Sequence, residues 1–94
     1  MIMGFNTEIE HNGVVFHVQT EPRKDARIET LVYLRGAIIH SLKTSYQELL
    51  NSSEYSDEKL ARLLKDQHQR VIVQIRTGEI RPPEAPAGST SPGA

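Results

Sequence analysis

Glu8 and His17 are the two residues whose types and spacing come nearest to chemistry in this 94-residue chain. They flank Asn12-Gly13, the pair favoured for a two-residue hairpin turn because both central positions need positive φ. Closing that turn sets His11 against Val14, Glu10 against Val15, Ile9 against Phe16, Glu8 against His17 and Thr7 against Val18. A carboxylate facing an imidazole across two strands is an acid/base couple, half of a metal site, or an ordinary opposite-charge pair. No third ligand stands at a recognisable spacing, so no metal is expected. Glu8 and His17 remain a weak polar site candidate, with His40 the weakest addition, because its apolar neighbours in "AIIHSLK" suit a core-edge histidine better than a ligand. His11 sits beside the turn, and His68 lies between Gln67 and Gln69 with no second histidine four residues away.

Other chemistry is sparse. The chain has no cysteine, no G-x-S-x-G elbow and no glycine-rich phosphate loop, so neither a catalytic nucleophile nor a cofactor is expected. Arg23, Lys24 and Arg27 gather in "PRKDAR", and Arg62, Lys65, Arg70 and Arg76 decorate a later segment; these are the residues a nucleic-acid contact would use. Acidic residues interrupt both sets, and no aromatic platform of the kind single-strand binders use accompanies them. Eleven basic against twelve acidic residues leave a net charge of −1, which argues against coating nucleic acid or an anionic membrane.

These residues need a scaffold. The hairpin register above collects Phe5, Thr7, Ile9, Phe16 and Val18 on one face and Asn6, Glu8, Glu10, Val15, His17 and Gln19 on the other, as a half-buried sheet requires. "EPRKDAR" (21–27), polar and without periodicity, is expected as a loop. "IETLVYLRGAIIHSLKTS" reads as a second hairpin turning at Arg35-Gly36, tight or bulged, with Ile28, Val32, Leu34 and Ile39 on one face and Leu31, Tyr33, Ile38 and Leu42 on the other. Bulk on both faces suits strands that are central or covered on both sides.

Ser45 followed by Glu48 has the capping-box spacing that starts a short helix, halted by Asn51, Ser52 and Ser53. A long helix follows. Ser56 is its N-cap, Asp57 and Glu58 suit the positive end of its dipole, and Gly78 is its stop. Leu60, Leu63, Leu64, Gln67, Val71 and Ile75 repeat at helical spacing, which favours helix over strand for the β-branched "VIVQI" at 71–75. A helix of about 20 residues measures about 30 Å against about 17–20 Å for a typical strand, so it should overhang the sheet. That overhang makes Val71, Ile72, Val73 and Ile75 the candidate partner interface; a helix lying wholly over a wide sheet is the competing reading.

The expected fold class is therefore α+β: a four-stranded antiparallel sheet from two hairpins, a short helix, and a long C-terminal helix packed on one face. Residues 1–80 form the domain, with Phe5, Ile9, Phe16, Val18, Val32, Leu34, Ile39, Leu60, Leu64 and Val71 in its core. Residues 81–94, rich in proline, glycine and serine, are expected to be a disordered tail, and Pro83 and Pro86 give it a P-x-x-P spacing. No signal-peptide pattern opens the chain, and no run approaches the roughly 18 apolar residues of a spanning helix, so a cytoplasmic, non-membrane protein is expected.

"FNTEIEHNGVVFHVQTE", "IETLVYLRGAIIHSLKTSY" and "LARLLKDQHQRVI" together resemble a group of short bacterial proteins with no assigned activity. The resemblance covers about residues 5 to 80 and implies a bacterial, cytoplasmic origin without supplying a mechanism. The leading functional expectation is a non-catalytic protein-interaction module, a homodimer or an adaptor. The alternatives are a small nucleic-acid-binding domain using Arg23, Lys24 and Arg27, and a metal- or ligand-dependent enzyme centred on Glu8, His17 and His40.

Overall fold

Asn12 at φ 54° and Gly13 at φ 78° form the turn that the sequence requires. On either side, the register from Thr7↔Val18 to His11↔Val14 is the expected one. The computed structural model describes residues 4–83. Its strands β1 (Phe5–His11), β2 (Val14–Arg23), β3 (Arg27–Leu34) and β4 (Ala37–Ser45) form one antiparallel meander in chain order. A short helix α1 (Gln47–Leu50) and a long helix α2 (Asp57–Arg76) follow, and α2 packs on one face of the sheet. The architecture is α+β, as expected.

The stretch 21–27 is a correction. β2 continues to Arg23 and β3 begins at Arg27, leaving only Lys24, Asp25 and Ala26 as the turn. Pro22 is tolerated because, beyond Thr20, β2 has β3 as its only neighbour among the described residues. Glu21 and Glu29 face each other, a repulsive pairing that Arg23 relieves by reaching both, at 3.3 and 2.8 Å. Asp25 (φ 68°) and Ala26 (φ 54°) are both left-handed, and the Ala26 carbonyl accepts from Tyr46 N–H at 2.8 Å, which ties the turn to the end of β4.

Arg35 (φ 54°) and Gly36 (φ 84°) close a tight turn, and a bulge follows at once. Tyr33 pairs with Ile38 but Val32 pairs with His40, so Ile39 is the extra residue. The extra residue moves Leu42 onto the face with Val32, against the expectation that it lies beside Ile38. Ser45 stays in the β ladder opposite Arg27, so the expected capping box does not form. Its hydroxyl still accepts from Gln47 N–H at 3.2 Å. α2 starts as expected, with the Ser56 hydroxyl accepting from Lys59 N–H at 3.1 Å, and ends before Gly78 at φ 85°.

α2 does not overhang. Ten residues of β2 at about 3.3 Å each give about 33 Å, which matches the roughly 30 Å of a 20-residue helix. β2 is longer than the typical strand, about 17–20 Å, against which the helix is expected to overhang. The core consequently runs the whole length of α2 in two apolar clusters. Ile9, Phe16, Val18, Val32, Val71, Ile75 and Ile80 form one; Ile28, Leu60 and Leu64, with Phe5, Tyr46 and Tyr55 against them, form the other. Of the expected core, Phe5, Leu34 and Ile39 are half-buried and the remainder are buried. Leu63, placed by periodicity on the buried stripe, is 40% exposed.

No helix among the described residues is long and apolar enough to cross a membrane. Arg81, Pro82 and Pro83 are exposed and outside regular structure, and the rest of the expected tail, 84–94, lies outside the described residues.

Candidate functional site

The hairpin brings Glu8 and His17 together as the sequence requires. Glu8 Oε2 and His17 Nε2 are 2.8 Å apart, with side chains 65% and 62% exposed. An exposed pair of this kind contributes about 0–1 kcal/mol and leaves both side chains largely in water. His40 does not join it. It lies opposite Val32 on the face toward α2, so the sheet itself separates it from Glu8 and His17. Among the described residues no group of three or more His, Cys, Asp or Glu side chains is placed to hold a metal ion.

Arg23, Lys24 and Arg27 do meet, and Lys43 of β4 joins them around an open groove that Asp25 and Glu29 also line. Three of the four cations have acidic partners on the spot: Arg23 holds Glu29 and Glu21, Arg27 lies 3.5 Å from Asp25, and Lys43 lies 3.8 Å from Glu29. Four positive and three negative side chains leave this end of the sheet nearly neutral, unlike a surface that tracks phosphates.

Burial takes two of the four residues out of the candidate interface at 71–75: Val71 and Ile75 are 0% exposed in the chain's own core, whereas Ile72 is half-buried against it and Val73 is 54% exposed. Residues 71–75 are helix. Two of the five exposed large apolar side chains among the described residues share the sheet face opposite α2. There Ile38 (56% exposed) stands directly across from Tyr33, and Val15 (49% exposed) lies diagonal to Tyr33, two residues before its partner His17. Leu31, two residues before Tyr33 on the same side, extends the patch, and the Glu8–His17 pair borders it.

A second constellation, buried rather than exposed, separates the two apolar clusters. Gln67 Nε2 lies 2.9 Å from Thr30 Oγ1, which lies 2.8 Å from Thr20 Oγ1, which lies 2.8 Å from His68 Nδ1. His68 Nε2 then lies 2.8 Å from Thr7 Oγ1, and the Phe5 ring covers the imidazole with centroids 5.5 Å apart. Thr20 and Thr30 are 0% exposed, His68 4% and Gln67 7%. Burial holds the His68 pKa below its ordinary 6.5.

One order of donors satisfies this string. The Gln67 amide nitrogen also faces the carbonyls of Leu42 and Ile28, at 3.3 and 3.5 Å, so this end of the amide is the donor. Gln67 therefore donates to Thr30, Thr30 to Thr20, and Thr20 to Nδ1 of a neutral His68 whose Nε2–H donates to Thr7. Reversing the Thr20–Thr30 bond would leave the Thr30 proton without an acceptor within the string. This tautomer is assigned from the network.

The string was missed as a site because each member looks ordinary alone. Gln67 and His68 interrupt the apolar stripe of α2, and Thr7, Thr20 and Thr30 alternate with apolar residues facing it. Seeing the Thr20–Thr30 contact requires the β2–β3 pairing, which a loop at 21–27 conceals. In comparisons with known proteins the chain matches no family model, no curated protein and no solved structure, so its function is read from these surfaces alone.

Proposed function

We propose that the chain is a non-catalytic protein-interaction module that binds through the uncovered face of its sheet, with a second copy of itself as partner. The observation that carries this reading is the contiguous patch of Val15, Leu31, Tyr33 and Ile38, on the one broad face that α2 leaves open. Apolar side chains at the centre and a polar rim of Glu8, His17, Asn6 and Gln19 match the anatomy of protein interfaces. The exposed Glu8–His17 pair, and the groove of Arg23, Lys24 and Arg27 with its interleaved Glu21, Asp25 and Glu29, support neither catalysis nor phosphate binding as well. Absence of cysteine agrees with a reducing compartment, in keeping with a bacterial cytoplasmic setting.

Sedimentation velocity of the full chain from micromolar to millimolar concentration tests this. A concentration-dependent dimer is expected for the wild type, and Ile38→Lys should return it to monomer with the thermal midpoint that the wild type shows at concentrations where it too is monomeric. A wild-type monomer throughout, or a dimer indifferent to Ile38→Lys, overturns the reading.

A further inference from the structure

We propose that the Thr7–His68–Thr20–Thr30–Gln67 string is a proton-keyed latch: neutral His68 locks α2 onto the sheet, and protonated His68 releases it. The geometry carries this independently of any partner. The string joins one residue from each of β1, β2 and β3 to two on α2, so it spans the whole helix–sheet seam between the two apolar clusters. Its donor order accommodates only one protonation state. A proton added at Nδ1 turns that atom into a donor, so Thr20 must accept from it and point its own proton at Thr30. Thr30 already receives the Gln67 N–H, and its own hydroxyl proton loses its acceptor. Protonation therefore sets donor against donor inside a dry seam, where each unmet group is costly.

Among the described residues no acidic side chain lies against the ring to offset the new charge. The groups on the ring are Thr7 and Phe5 from β1, Thr20 from β2 and, beyond it, Thr30 from β3, none of them ionisable in this pH range. On α2 the preceding Gln67 is neutral, while Lys65 and Asp66 are exposed to water. Thr7 is only half-buried, so the Nε2 end is where the ring comes nearest to solvent. The direction of the pKa agrees: burial alone lowers it from 6.5.

The sign follows by linkage. Because the folded value lies below the unfolded one, the unfolded chain binds the proton first as pH falls. The stability tied to this group is full above pH 6.5 and is lost as pH drops from there through the folded value. The loss reaches at most about tenfold in the folding constant per pH unit, the limit for one proton.

Nitrogen-15 spectra of the imidazole rings in the full chain, recorded from pH 8 to pH 4.5, test the latch without altering it. An Nε2–H tautomer for His68 and a midpoint below 6.5 are expected. An Nδ1–H tautomer, or a midpoint at or above 6.5, overturns it. Urea melts at pH 7.5 and pH 5.5 supply the second reading: the wild type should lose stability at pH 5.5 by more than His68→Gln does. Equal losses in the two overturn the proposal. If His68→Gln does not fold, the ring spectra decide alone.

Discussion

Thr20→Val is the substitution that interrogates the buried string most directly. Valine has nearly the same shape, so the enclosed site stays filled and only the hydroxyl is lost. That hydroxyl is the acceptor for Thr30 and the donor to His68 Nδ1, so its removal orphans two groups in residues that are 0% and 4% exposed. Each orphan costs about 1–3 kcal/mol, and the extra buried methyl returns about 0.8 kcal/mol, for a net loss of about 1–5 kcal/mol. About 80 folded residues carry only about 4–12 kcal/mol in all, so the effect is a large share of it. With a urea slope of about 1 kcal/mol/M, the midpoint at pH 7.5 should fall by about 1–5 M. Thr30→Val provides the contrast. It leaves Gln67 its two carbonyls and leaves the Thr20–His68 bond intact, so it should cost about 1 kcal/mol. Equal costs for the two variants, or a neutral Thr20→Val, would refute the assigned donor order.

Two further substitutions test placement. Val71→Ala should cost about 2–3 kcal/mol in a urea melt because its side chain is wholly enclosed, whereas Val73→Lys, two residues on, should change stability by less than about 0.5 kcal/mol. Ser56→Ala should lower stability by about 1 kcal/mol through loss of the cap on Lys59 N–H, read in the same melt and in reduced helical circular dichroism.

How far the sequence reveals this molecule depends on the distance over which each signal acts. Asn12-Gly13 fixes its hairpin residue by residue because turn chemistry and strand alternation are both local. The Ser56 cap and Gly78 stop are local in the same way. The hidden features depend on partners distant in the chain. Arg23 makes the Glu21–Glu29 pairing tolerable only once β2 and β3 are already side by side. The Ile39 bulge, a single extra residue, is enough to carry Leu42 across the sheet. Val71 and Ile75 read as a sticky end until the true length of β2 supplies the surface that buries them. Thr7 and His68 touch across 61 residues of chain, and neither carries a local mark of the other. Of the candidate site residues, Glu8 and His17 met as expected, His40 did not, and the most tightly organised polar group was the one that spacing rules pass over.

The meander order β1-β2-β3-β4 has a kinetic consequence. Every strand pairs with its immediate successor across a turn of two or three residues, so no sheet contact waits on the closure of a long loop. Hairpins of this kind close in about 1–10 μs, and a sheet of low contact order assembles ahead of elements recruited from afar. Among the described residues α2 is the element whose docking spans the longest stretch of sequence, since it must return over β1, β2 and β3. Folding should therefore run as two unequal events, a zippering sheet and then a helix that lands on it. In the interval the sheet carries a bare apolar face and two open edge strands, and survival at high concentration depends on how quickly the last twenty residues of helix arrive.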